Sequence, residues 1–160
     1  MQCGGRVFVL SIDDGSDETD SDPAAVVIDA LESDERTVAG QDTVEAGSDP
    51  VQTAGDRAVS RRDVTAIVTV GGTGVGPTDV TVEAVDPLLE TELPGFGELF
   101  RVSYHERVGP EVIGMRPTAG ISDGVPVFCL PGEKDAARFT VSEIVLQTLD
   151  GLLEDVAEPA

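Results

Sequence analysis

Four glycines and an aspartate, Gly71, Gly72, Gly74, Gly76 and Asp79, follow directly on the apolar β-branched run VTAIVTV at Val64 to Val70. Glycines at such a turn reach positive φ and let a ligand approach the main chain, while exposed amides and a following helix start supply positive potential. An anion, and phosphate above all, is the guest this chemistry suits. The same residues also fit a plain strand-to-helix turn, and loop statistics alone leave the two readings level. Two common phosphate motifs are excluded. No Gly-Lys-Ser/Thr follows the loop, and Asp79 stands where the G-x-G-x-x-G spacing requires its last glycine.

These groups must be carried by an alternation of strands and helices. RVFVLSI at Arg6 to Ile12 reads as a first strand, and DDGSDETDSD as an acidic loop too polar to bury. Pro23 opens a helix over PAAVVIDALES, with Ala25, Ile28 and either Leu31 or Val27 on one face. TVAGQDTVEAG fits an edge strand. Asp49-Pro50 then reads as a helix entry, with Asp49 as N-cap and the proline at the first helical position. VTAIVTV has the branching of a strand buried on both faces. Beyond it Thr81 caps a helix through VEAVDPLLE that Pro87 should kink. LPGFGELFRVSYHER continues with Phe96, Leu99 or Phe100, and Tyr104 at helical spacing, positions that suit core or subunit contacts. Two short extended segments flank the turn Ser122-Asp123-Gly124, the second ending at Pro131-Gly132. A long amphipathic helix closes the chain, with Ala136, Phe139, Val141, Ile144, Val145, Leu149 and Leu152 inward. The fold expected is a single three-layer α/β/α domain over residues 1–160 with a mostly parallel sheet. Right-handed crossovers place Asp49, the glycine loop and Asp79 beyond strand carboxyl ends, along one edge. Neighbouring strands lie ~4.8 Å apart, so the two carboxylates can converge on a phosphate-bound metal.

The composition of 160 residues fits one core. Ten basic residues against 31 acidic ones give a net charge of −21, a field that repels nucleic acid and anionic membranes. Lys134 is the sole lysine, and the carboxylates run from Asp13 to Glu158 rather than forming a tail. In molar salt the Debye length shrinks to ~3 Å, so dispersed carboxylates repel little; the pattern predicts a halophilic, cytoplasmic protein, with a partner-binding acidic face as the alternative. Cys3 and Cys129 lack metal spacing and follow no secretory segment, and Cys129 in VPVFCLPG suits a small buried hydrophobe. His105, the sole histidine, reads as exposed and structural rather than a catalytic base. No apolar run approaches membrane length.

Three ordered segments, GGTGVGPTDVTVEA, LPGFGELFR and CLPGEKDAAR, together with DSDPAAVVIDALE, resemble the MoaB/MogA family of molybdopterin adenylyltransferases over nearly the entire chain. The charge makes the resemblance that of a haloarchaeal-like member. It implies the MogA-like molybdopterin-binding fold, a homotrimer or hexamer, and transfer of AMP from Mg-ATP to the terminal phosphate of molybdopterin before molybdate or tungstate is inserted. A metal-insertion enzyme of that pathway is then a candidate partner. Carried over by position, the resemblance makes Asp49 and Asp79 the catalytic carboxylates and Mg²⁺ ligands, with Asp49 alternatively aligning the attacking phosphate. It implies substrate contacts at Ser11, Gly71, Gly72, Thr73, Gly74, Gly76, Glu98, Arg116, Pro131 and Gly132. Three segments depart from the family pattern: SIDDG in the first loop, Met115-Arg116 where the family has Ser-Arg, and LPGEKDA with Glu133 and Lys134. Those departures keep two other readings open: a noncatalytic relative that binds molybdopterin or a partner, and a nucleotide pyrophosphatase resembling the CinA-type branch.

Overall fold

Why the glycine loop sits where it does follows from the sheet. In the computed structural model, which describes residues 5–15 and 22–157, the strands are β1 (Arg6–Asp13), β2 (Thr37–Glu45), β3 (Ala66–Val70), β4 (Thr91–Glu92), β5 (Thr118–Ser122) and β6 (Val125–Leu130). They form one sheet in the order β2-β1-β3-β6-β5-β4. β1 runs parallel to β2 and β3, and β3 parallel to β6, whereas β5 is antiparallel to both β4 and β6. Every residue of β3 is buried, as its unbroken apolar run requires of a central parallel strand. Its last residue, Val70, pairs with Ser11, which in turn pairs with Thr43. The carboxyl ends of β1, β2 and β3 therefore form one edge, and the chain leaves β3 there into Gly71.

Strand alternation divides the core between two faces. Val7, Val9, Val68 and Val70 pack with α1 (Pro23–Ser33), α4 (Pro94–Val108) and the C-terminal helix. Phe8, Leu10 and Ile67 pack with α2 (Ser48–Val59) and α3 (Thr81–Val85) on the other side. The expected three layers are present. As Pro87 demands, α3 ends in a 3₁₀ turn over Asp86–Leu88. The turn at Ser122-Asp123-Gly124 joins β5 to β6, with Asp123 and Gly124 both at positive φ.

The C-terminal helix is interrupted. α5 (Lys134–Thr140) passes through a π-helical turn, Val141–Val145, into α6 (Leu146–Ala157). The wider turn keeps Val141, Ile144, Val145 and Leu149 all buried along one track. Arg36, whose side chain is only 8% exposed, bonds Asp34 at 3.1 Å and Asp150 at 2.6 Å and so ties α6 to the turn between α1 and β2.

Three local expectations are corrected. In α1 the buried residues are Ala24, Val27 and Leu31, whereas Ala25 is exposed and Ile28 half-buried. That segment is apolar on most sides, so helical period alone does not select the face; packing against α5 does. α2 begins at Ser48 behind Gly47, whose φ of 168° is extended backbone, and no side chain caps it; Asp49 lies inside the first turn. Thr81, expected as a cap, is instead the first residue of α3, which no side chain caps. In α4 the inward residues are Phe96, Phe100 and Tyr104, as expected, with Phe100 filling the place left open between it and Leu99, which is 48% exposed. Phe100 stacks on Tyr104 at 5.1 Å, and Phe139 of α5 meets Tyr104 at 5.0 Å. His105 is exposed near the end of α4 and Cys129 is fully buried, as expected, whereas Cys3 and most of the acidic loop lie outside the described residues. No helix among the described residues is long and apolar enough to cross a membrane.

Candidate functional site

A cavity of about 570 Å³ opens at the carboxyl edge of β1, β2 and β3, within the usual size of small-molecule sites. Its floor is the glycine loop. Gly71 and Gly72 adopt φ of 111° and 77°, a region that strains any side chain. At Gly72 a Cβ would also overlap Thr81 Oγ1, and Thr81 is wholly buried with that hydroxyl unpartnered. Gly72 is thus required by the packing beneath the loop, before any ligand is considered. Gly132 comes so close that a Cβ there would lie 3.0 Å from Gly71 Cα, and Gly71 N donates to Leu130 O at 2.9 Å. The Pro131-Gly132 loop is therefore locked to the first loop glycine.

The main-chain N–H groups of Gly72, Thr73 and Gly74 make no hydrogen bond with any described residue, and all three residues line the cavity. Thr73 is 3% exposed. Gly72 and Gly74 are half-buried beside it, and three successive main-chain donors facing one cavity form a donor set for an anion. Asp22 and Pro23 at the start of α1 line the same cavity, adding the positive end of that helix.

Carboxylates crowd the walls. Asp13, Asp14, Asp22, Asp79 and Glu133 all line the cavity, with neither lysine nor arginine among the lining residues. Most are already engaged with main-chain donors. Asp13 Oδ1 accepts from Gly15 N at 2.9 Å, Asp22 Oδ1 from Ala24 N at 3.1 Å, Asp79 Oδ2 from Gly76 N at 2.9 Å, and Glu133 Oε1 from Ala136 N at 3.0 Å. Burial first, then the nearby Glu133 and Asp135 carboxylates, push the Tyr104 phenol above its ordinary range.

Of the residues singled out by sequence, Ser11, Gly71, Gly72, Thr73, Gly74, Asp79, Pro131 and Gly132 converge on this cavity. Asp49, Gly76, Glu98 and Arg116 are not among its lining. Asp49 is exposed on the first turn of α2, which begins at Ser48 behind the extended Gly47. Of the two carboxylates, Asp79 alone lines the cavity. Gly76 N is occupied by Asp79, and Glu98 is exposed on α4. Arg116 turns its guanidinium toward the loop itself, donating from Nε and Nη2 to Gly74 O at 2.9 and 2.7 Å. Sequence reasoning missed Thr43, whose only signal is its register opposite Ser11, and the engaged acids Asp13 and Asp22. Met115 and Glu133, both in departing segments, do line the cavity.

Hard oxygen donors of this kind suit magnesium rather than a softer metal. Among the described residues no group of three or more His, Cys, Asp or Glu side chains is placed to hold an ion unaided. Such a lining fits a cation that completes its shell with ligand phosphate and water, as magnesium commonly does.

Residues 8–151 match the family model described as a probable molybdopterin binding domain. The chain is 33% identical over 153 residues to molybdenum cofactor biosynthesis protein B of Bacillus subtilis, covering 94% of this chain and 89% of that one. The crystal structure of the tungsten cofactor synthesizing protein MoaB from Pyrococcus furiosus superimposes with a TM-score of 0.87 at 30% identity, covering 99% of this chain and 100% of that one. A MogA structure superimposes with a TM-score of 0.83 at 26% identity, over 95% of this chain and 99% of that one. With the glycine loop, the cavity and these likenesses in agreement, the chain belongs to the MoaB/MogA family of molybdenum cofactor biosynthesis proteins.

Proposed function

We propose that the chain binds molybdopterin in the cavity above the glycine loop and transfers AMP to it from Mg-ATP. The observation that carries this reading is the run of unpaired amides at Gly72, Thr73 and Gly74 in a cavity of ligand size. They suit the terminal phosphate of the pterin. An oxygen of that phosphate attacks the α-phosphorus of ATP, and the bond from this phosphorus to the oxygen bridging to the β-phosphorus breaks. Pyrophosphate leaves with that oxygen and its electron pair. Such a transfer asks the protein mainly for alignment and charge stabilisation.

Asp79, with one carboxylate oxygen fixed by Gly76 N, is the residue that would hold Mg²⁺ here. The ion supplies charge neutralisation on the phosphates. Ser11 and Thr43, adjacent on β1 and β2, offer hydroxyls to the pterin, and the Pro131-Gly132 loop bounds its far side. Exposure of Leu99, Val102 at 73% and Ile113 at 84% supports self-association into a homotrimer or hexamer. The cytoplasm, where ATP is supplied, is the location consistent with this activity.

A second reading, molybdopterin binding without AMP transfer, is favoured by the absence of Asp49 from the cavity lining. One assay separates the two. Purified protein in high KCl is mixed with Mg-ATP, with and without molybdopterin, and pyrophosphate release is followed alongside calorimetric pterin binding. Pterin-dependent release supports adenylyl transfer. Binding without release leaves the second reading, and absence of both refutes the assignment of the cavity.

A further inference from the structure

We infer that Arg116 is a positioning residue that, held in turn by Glu83, clamps the two limbs of the glycine loop and so sets the Asp79 carboxylate at the cavity wall. The inference rests on the cavity being the ligand site, but not on the chemistry performed there.

Arg116 reaches the loop from outside the cavity. Its main-chain N–H donates to Thr73 O at 3.0 Å, Nε and Nη2 both donate to Gly74 O, and Nη2 also reaches Asp79 O at 3.3 Å. One guanidinium thus grips the ascending limb at Gly74 and the descending limb at Asp79. Nη1 meets Glu83 Oε2 at 2.6 Å. Arginine has five N–H donors, so four are already occupied by the protein and little remains for a ligand. The fork geometry makes these contacts mutually dependent, because Glu83 on α3 fixes the plane in which the other nitrogens lie. The segment carrying Arg116 is itself anchored, since Arg101 Nη1 on α4 donates to Met115 O at 3.3 Å.

On the cavity side, the Asp79 carboxylate is held by Gly76 N, and Asp79 N donates to Gly76 O at 3.0 Å. Those bonds lie within the short turn and do not fix where the turn points. Thr81 N, donating to Gly72 O at 3.0 Å, ties the limbs at their base, and Arg116 adds the constraint at Gly74 and Asp79 through their carbonyls. Its pairing with Glu83 is solvent-accessible, with side chains 33% and 55% exposed, so its purpose is better sought in geometry than in stability.

The test compares Arg116→Gln, Arg116→Lys and Glu83→Gln in the full chain by hydrogen–deuterium exchange of peptides spanning residues 71–80, molybdopterin titration and pyrophosphate release. For Arg116→Gln, loop exchange should rise by about tenfold or more while the sheet stays protected. Pterin affinity should stay within about threefold and turnover should fall by roughly thirtyfold or more. Added guanidinium at millimolar concentration should restore part of that loss, and Glu83→Gln should show the same pattern more weakly. Unchanged loop exchange overturns the inference. So does a large loss of affinity with an undisturbed loop, which would make Arg116 a direct ligand contact. If the parent protein releases no pyrophosphate, the adenylyl-transfer reading falls while the exchange and affinity measurements still decide the clamp. Should Arg116→Gln not fold, Arg116→Lys and Glu83→Gln give the same readings.

Discussion

Replacing Gly72 by alanine tests whether the loop is shaped from below, by Thr81, or from above, by ligand. The main chain at Gly72 has φ of 77°, and a side chain in that region loses roughly 1–2 kcal/mol. The new Cβ would also overlap Thr81 Oγ1 and lie 3.0 Å from Thr81 Cβ, an overpacking worth about 1–3 kcal/mol. Gly72→Ala should therefore destabilise by roughly 2–5 kcal/mol. Thr81→Ala removes a buried methyl, about 0.8 kcal/mol, but also a hydroxyl that has no partner, whose relief is worth about 1–3 kcal/mol in the opposite sense. Alone it should range from neutral to stabilising by about 2 kcal/mol. In the double variant the overlap with Oγ1 disappears, leaving the backbone term of about 1–2 kcal/mol and the 3.0 Å contact with the Cβ that alanine keeps, so the two changes should couple favourably by up to about 1–3 kcal/mol. Urea unfolding of all four proteins in high KCl, at one protein concentration, measures this cycle. Additivity within about 0.5 kcal/mol would refute the argument and return Gly72 to a role in admitting ligand.

Other predictions are more direct. Asp79→Asn should preserve the loop, since the amide oxygen can still accept from Gly76 N, yet lower pyrophosphate release by about a hundredfold; Asp49→Asn should stay within about threefold, and a comparable loss there would return Asp49 to the mechanism. Burial pushes the Cys129 thiol from 9.0 up to about 11. Below pH 9 both folded and unfolded chains hold this proton; between 9 and 11 the unfolded chain releases it first, so stability should fall by up to about 2–3 kcal/mol as pH rises. Parallel stability curves for parent and Cys129→Ala across that window would contradict this. With a net charge of −21, the melting temperature should climb as KCl is raised from millimolar to molar, and a flat response would remove the halophilic reading.

Local chemistry carried much of this architecture. VTAIVTV could hardly be other than a central strand, Pro87 could not continue a helix, and Ser122-Asp123-Gly124 had the residues of a tight turn. The glycine loop and Asp79 were legible for the same reason, since the local sequence carries both the loop conformation and the carboxylate. Asp49 was misplaced because Asp-Pro suits the second and third helical positions as well as the cap and first, and only the extended Gly47 decides between them. Arg116 lies 42 residues from Gly74, and no pattern of spacing reveals that its guanidinium meets carbonyls rather than substrate. Thr43 and Ser11 share the cavity through strand register, which is a property of the assembled sheet.

The hairpin of β5 and β6 brings a final consequence. The glycine loop leaves a parallel unit made early in the chain, yet what fastens it comes later: Arg116 just before β5, Leu130 at the end of β6, and Gly132 beyond. During synthesis the first half would emerge with an unfinished binding surface, completed only when the second half docks beside β3. A ligand that fills the cavity would then bind only after both halves have joined.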